Sequence, residues 1–264
     1  MVEWNPSISY VAATSVALVS TTWSLWTRHF TVFFTLALIV VAPVGLLVDG
    51  VWGGTLADPE AQPSPAAAIA GGLLNAFVVS ALITAVHVVA VQGLGRGEAP
   101  SIGSALRGAA PAFLPVMLVI VLYTLGTGLL MLALVLPGIW FATKYYFGAQ
   151  AAIVDGERAT GALSRSGELV AGNWWRTFGI LLVFGLLAGV IAGLVGLLLG
   201  FAAGALESGP LMVSALIIGN ALAYSFTALA GTLLFFDLRA RKSLSWEGEP
   251  TRPVGDAPEH PSSA

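Results

Sequence analysis

The chain has 264 residues, 57% hydrophobic and 9% charged, with a mean hydropathy of +0.88 and a formal net charge of −3. Soluble domains carry roughly 25% charged residues, so a water-soluble fold of this size could not cover its surface, and a bilayer is the solvent that fits. No strongly basic face points to nucleic acid, and with no cysteine in the chain there is neither a disulfide framework nor a thiolate metal site.

The N-terminus starts Met1-Val2-Glu3-Trp4, with no basic region ahead of an apolar stretch. The first spanning helix is therefore expected to act as an uncleaved insertion signal. Ile8, Ala12, Val16, Val19, Trp23, Trp26 and Phe30 recur at helical spacing. They predict an amphipathic helix that either lies in the headgroup plane or dips into the bilayer around 14–18.

Six stretches are then long and apolar enough to cross a core of ~30 Å, which needs ~20 helical residues. They are expected at about 31–48, 67–92, 112–136, 138–154, 177–203 and 211–236. Two further amphipathic stripes fall between them. One carries Ile102, Ala105, Leu106, Ala109 and Phe113; the other carries Ala159, Leu163, Ser166, Val170 and Trp174, with Arg165 and Glu168 off the stripe. An outer loop at 49–65 is rich in Gly and Pro, and a Pro-bearing, charged tail at 243–264 is expected to be disordered. The expected fold is thus an all-α polytopic bundle of about six spans with short interfacial helices. It forms one membrane domain over 1–242, with a coarse threefold pattern (7–92, 97–156, 157–242) of one short helix followed by two spans.

Orientation follows from the basic residues. Six spans sort ten of the eleven Lys and Arg residues to one side and none to the other, which instead holds Asp49, Asp58, Glu60 and Glu207. That asymmetry puts both termini in the cytoplasm. Nine of the eleven are Arg, and Ala and Gly are abundant. This is the usage of a GC-rich bacterial genome, so a bacterial plasma membrane is the expected compartment.

The eleventh basic residue, Lys144, lies inside a span. A lysine there costs ~2.5–3.5 kcal/mol on insertion scales. Two readings are open: an anion, lipid-headgroup or relay site, or a structural lysine bonded inside the bundle to carbonyls, a Tyr hydroxyl or Asp49. Asp237 and Arg239, at the end of the last span, read as a surface anchoring pair. Arg165 is expected to face anionic lipid or cytoplasm. His87, Asn75 and Asn220 read as interhelical hydrogen-bonding groups, and Gly189, Gly193, Gly196 and Gly200 as close-packing positions.

Gly93-Leu94-Gly95-Arg96-Gly97 lacks the preceding strand and following Lys-Ser/Thr of a phosphate loop. No Ser-His-Asp set and no His-Glu-x-x-His motif is present. Neither a cofactor nor an enzymatic activity is expected.

Three further runs carry a resemblance. They are Leu136-Pro137-Gly138-Ile139-Trp140 with Lys144; Ala162-Leu163-Ser164-Arg165-Ser166-Gly167-Glu168 running to Asn173-Trp174-Trp175-Arg176; and Leu234-Phe235-Phe236-Asp237-Leu238-Arg239. Over about 134–242 the chain resembles the glycerophosphoryl diester phosphodiesterase membrane-domain family, although a Trp often stands in that family where this chain has Gly167. The resemblance implies a six-helix membrane module. The hydrolase domain of that family would need a separate α/β barrel, and the 22 residues after Lys242 are too few for one. The leading expectation is a non-catalytic scaffold or lipid-contacting protein, whose partners are membrane lipids and other membrane proteins. The alternative is a small-solute or lipid transporter.

Overall fold

The computed structural model describes residues 14–247, and side chains to 242. Among the described residues every regular element is a helix. In chain order they are α1 (Ser15–Arg28), α2 (Phe30–Gly45), α3 (Pro65–Leu73), α4 (Ser80–Gly95), α5 (Ile102–Ala109), α6 (Phe113–Ala133), α7 (Val135–Tyr145), α8 (Gly148–Val154), α9 (Thr160–Val170), α10 (Trp174–Ala205) and α11 (Gly209–Glu247). Among them five continuous helical stretches are long and apolar enough to cross a membrane: Phe30–Trp52, Pro65–Gly95, Ile102–Ala133, Trp174–Ala205 and Gly209–Lys242. The molecule is an all-α membrane bundle.

Local sequence explains the irregularities. Pro43 removes one backbone donor from α2, and the helix widens into a π-helical turn over Leu46–Trp52. A second π-helical stretch, Leu74–Val79, joins α3 to α4. Pro111 sits in a 3₁₀ turn, Ala110–Ala112, that carries α5 straight into α6. The predicted interfacial helix at 102–113 is therefore about the first three turns of the third span. Ala105 and Ala109 of its apolar stripe are buried.

The fourth expected span, 138–154, is not one helix. It breaks at Tyr146 and Phe147 into α7 and α8. Two hydrogen bonds repair the break: the hydroxyl of Ser166, fully buried on α9, accepts from the Phe147 N–H at 3.0 Å and donates to the Lys144 carbonyl at 2.9 Å. In hydrocarbon an unpaired backbone group costs several kcal/mol, so the joint depends on α9. That helix runs antiparallel along the broken pair. A Cβ at Gly148 would stand 2.8 Å from Leu163, one at Gly167 would stand 3.1 Å from the Lys144 stem, and the Trp174 indole donates to the Trp140 carbonyl at 3.3 Å. Of its predicted stripe Ser166 and Val170 are buried and Ala159, Leu163 and Trp174 half-buried, while Ala162 beside the stripe is buried as well.

On α1 the stripe is offset. Leu18, Thr22 and Trp26 are buried, whereas Val16 is 79% exposed. Trp26 anchors the helix by donating to Ser225 of α11 at 3.1 Å and by edge contacts with Phe226. Ile8 and Ala12 lie outside the described residues. The other face, Val16, Val19 and Trp23, lines an apolar groove of about 790 Å³ against Ile180, Val183 and Leu187 of α10. Periodicity found the helix there, but the expected stripe mixes the exposed Val16 and Trp23 with the buried Trp26 and misses Leu18 and Thr22, which pack against the bundle. At the other end, α11 stays helical to Glu247, five residues into the expected tail; 248–264 lie outside the described residues.

Candidate functional site

Two polar centres sit in this apolar frame. The first is a cavity of about 340 Å³ between α4, α6, α8 and α11. Its lining includes Ser80 and Thr84 of α4, Tyr123 and Thr124 of α6, Tyr146 at the helix break, Gln150 of α8, and Tyr224 and Thr227 of α11. The α4 and α11 positions fall in the middle third of the spans Pro65–Gly95 and Gly209–Lys242. The π-helical stretch Leu74–Val79 reaches the rim through Ala76. Gly231 makes room on the far side. A Cβ there would stand 3.1 Å from the Tyr146 ring and 3.5 Å from the Gln150 amide nitrogen.

The hydroxyls around this cavity are mostly spent as donors. Tyr224 donates to Asn75 Oδ1 at 2.8 Å, Tyr123 to the Ala142 carbonyl at 3.2 Å, Thr227 to the Ala223 carbonyl at 2.8 Å and Ser80 to the Asn75 carbonyl at 3.0 Å. Gln150 is 5% exposed, and its Oε1 has no hydrogen-bond partner. No charged side chain lines the space.

The second centre gathers the charges where α8, α9, α10 and α11 meet. Asp155, at the end of α8, pairs with Arg239 of α11 and, at 3.5 Å, with Arg165 of α9. Arg165 also reaches Glu168 at 3.1 Å. Asp237, 4% exposed, takes Arg176 of α10 at 2.7 Å and Arg241 one turn along its own helix at 2.9 Å. Lys242 donates to the Ala171 carbonyl at 2.9 Å. The expected Asp237–Arg239 pair does not form. Residues two apart on a helix point to different sides, so Arg239 turns to Asp155 while Asp237 meets α10. Nor does Arg165 simply face outward. Asp155 and Arg176, the partners missed at the sequence level, are legible only as charges at span ends, because pairing across helices leaves no local pattern.

Lys144 belongs to neither centre. Its ammonium lies 4.6 Å from the Trp140 ring centroid and 5.3 Å from that of Tyr145, with its stem against Gly167. Among the described residues it has no ion pair; Asp49 sits in the π-helical turn after α2, beside Gly45. Its charge is met by aromatic faces, a geometry worth ~0.5–2 kcal/mol. A Cβ at Gly167 would stand 3.1 Å from the Lys144 stem and 3.3 Å from the Tyr145 ring.

Of the other polar groups, His87 is fully buried with its ring nitrogens 2.8 Å from the Ile83 carbonyl and 3.3 Å from that of Phe33, stacked on the Phe33 ring. Asn75 bonds across helices as expected, but Asn220 is exposed on α11. Gly189, Gly193, Gly196 and Gly200 of α10 are not packing positions among the described residues, since none of these lies within 4 Å of a Cβ built at any of the four.

No family model, curated protein or solved structure matches the chain.

Proposed function

We propose that this chain is a non-catalytic, multi-pass protein of a bacterial plasma membrane, with both termini cytoplasmic, that binds a small solute in its central cavity and passes it across the bilayer. The observation that carries this reading is a polar cavity at a broken helix in the middle of the spans. Irregular backbone at membrane depth is tolerated where it is buried in protein or lines a water-filled cavity, and discontinuous helices build the midplane sites of many transporters. Gln150 is the specific sign: a dry scaffold has no use for a buried amide oxygen without a partner. The cavity lining also offers no nucleophile paired with a base, which supports a binding role over a chemical one.

The native chain lacks cysteine, so single cysteines report access cleanly. Ala228→Cys, on the cavity wall, is expected to react with a membrane-impermeant thiol reagent in proteoliposomes. Leu197→Cys, 69% exposed on α10, is expected to stay unlabelled in lipid. Equal inertness of both would end the solute reading.

A second reading, the scaffold, draws on one observation: the bare glycine face of α10, which leaves room for another helix to approach closely. The resemblance to glycerophosphodiesterase membrane modules rests on motifs over 134–242 and is compatible with either role.

A further inference from the structure

The wall of the central cavity is specific about what it accepts. Four of its hydroxyls, on Ser80, Tyr123, Tyr224 and Thr227, already donate to oxygens of the protein. What each still offers is a lone pair. Gln150 Oε1 adds an acceptor with no partner, on a side chain 95% withdrawn from the surface. Thr84, Thr124 and Tyr146 bring three more hydroxyls and Gln150 an amide NH2, so the wall is uncharged and offers donors as well as acceptors. No Asp or Glu lines it to compensate a cation, and no Lys or Arg to hold an anion. A charge brought to that depth without a partner would cost several kcal/mol, whereas a neutral molecule rich in O–H or N–H groups would satisfy the wall. The volume, about 340 Å³, is at the lower end of the ~300–1,000 Å³ of ligand pockets. It would hold on the order of ten waters at ~30 Å³ each, which is room for a short polyol or a small urea or amide.

We infer that the cavity is a binding site for a small, neutral, hydrogen-bonding solute of the polyol or urea class, with the Gln150 amide and the Tyr224 hydroxyl among its contacts. This deepens the transport reading and rests on it, since a cavity that never opens to water would hold no solute at all.

Stopped-flow light scattering on proteoliposomes tests both levels separately. The probes are erythritol and methylurea, with tetramethylammonium chloride and sodium acetate as charged comparators of similar size. Erythritol and methylurea are expected to enter at least fivefold faster than into protein-free vesicles, and the charged pair no faster. Gln150→Met keeps the volume and removes the acceptor. It is expected to cut the neutral flux at least tenfold, and Tyr224→Phe threefold or more, in variants whose abundance and melting temperature match the parent. If Gln150→Met is unstable, Tyr224→Phe alone decides. Unchanged neutral flux in a folded variant overturns the assignment of these contacts. Faster entry of either charged probe overturns the solute class while leaving transport intact. No protein-dependent flux of any probe, together with an unreactive Ala228→Cys, overturns the transport reading itself.

Discussion

Glycine does opposite things in two regions of this molecule. Along α10, Gly185, Gly189, Gly193, Gly196, Gly200 and Gly204 share one side of the helix, and a Cβ added at any of them meets nothing within 4 Å. Around the broken α7–α8 pair the same residue is hemmed in. A Cβ at Gly148 would stand 2.8 Å from both Leu163 and Val119, one at Gly167 would stand 3.1 Å from Lys144, and one at Gly231 would stand 3.1 Å from Tyr146. One region is a 32-residue apolar helix that packs on α11 through Ile180, Phe184 and Ala188 and leaves its glycine side bare among the described residues. The other is a joint of three short helices and the end of a long one, closed by hydrogen bonds and ion pairs. A membrane span gains little from burying apolar side chains, because lipid is as apolar as they are. Stability must then concentrate where polar groups are paired, and the joint is that place.

If so, substitutions in the joint should dominate. The largest effect is expected at Asp237, whose buried carboxylate holds Arg176 on α10 and Arg241 on α11. Asp237→Asn leaves guanidinium groups without their counter-charge, and breaking a buried pair on one side costs about 3–5 kcal/mol. A fall in melting temperature in mild detergent, with loss of membrane abundance, is the expected readout. A variant as stable as the parent would show that water or lipid headgroups replace the carboxylate, and the joint would lose its distinction.

The next effect down is at Ser166. Its hydroxyl serves both sides of the helix break, so Ser166→Ala orphans the Phe147 N–H and the Lys144 carbonyl together. Unsatisfied buried groups cost about 1–3 kcal/mol, while interhelical bonds in bundles average about 0.6 kcal/mol when the freed groups find other partners. The two numbers separate two pictures of the break. A loss of about 2 kcal/mol in detergent unfolding means the break is rigid and dry. A loss near 0.5 kcal/mol means that α7 and α8 re-form a continuous helix once the serine is gone, in which case the break is imposed by α9 and not by the residues that carry it.

The sequence conveyed the α10 region well and the joint poorly, and the reason is physical. The span at 177–203 is a run of apolar residues, and its hydropathy suffices to define it because its environment is uniform. The span at 138–154 is less apolar, with Lys144 and Gln150 inside it, yet nothing local in Lys144, Tyr145, Tyr146 and Phe147 places the break, since the hydroxyl that stabilises it comes from 19 residues further on. Asp155 and Asp237 were visible as acids at span ends, but which arginine each takes depends on helix rotation. Helical spacing does rule out Asp237 with Arg239, and that much could have been read at the outset. The cavity left a fainter trace. Its Tyr, Thr and Gln residues are scattered over four helices at positions that look like ordinary packing groups one at a time. On α1, periodicity named the correct residues as apolar but could not tell a stripe that faces protein from one that faces lipid, because both environments favour the same side chains.

The smallest effect is the sharpest test of the contrast. Gly193 sits on the bare side of α10, and Gly193→Leu adds four carbons where a Cβ meets nothing. Leucine also forms helix more readily than glycine, by about 0.8–1 kcal/mol in water, an advantage that shrinks in a membrane, where the helix is already enforced by backbone pairing. The net change in stability is therefore expected to be a slight gain, within about 1 kcal/mol. Gly148→Leu, with the same atoms added in the joint, has no space and should cost about 1–3 kcal/mol as an overpacking change. Measured side by side in the same detergent, the pair isolates surroundings from residue type. A loss at Gly193 as large as at Gly148 would mean that α10 is covered in the folded protein, and the bare side would then be a contact with another helix and not with lipid. That result would move the scaffold reading ahead of solute passage, because a close-packed glycine face is what such a partner would need.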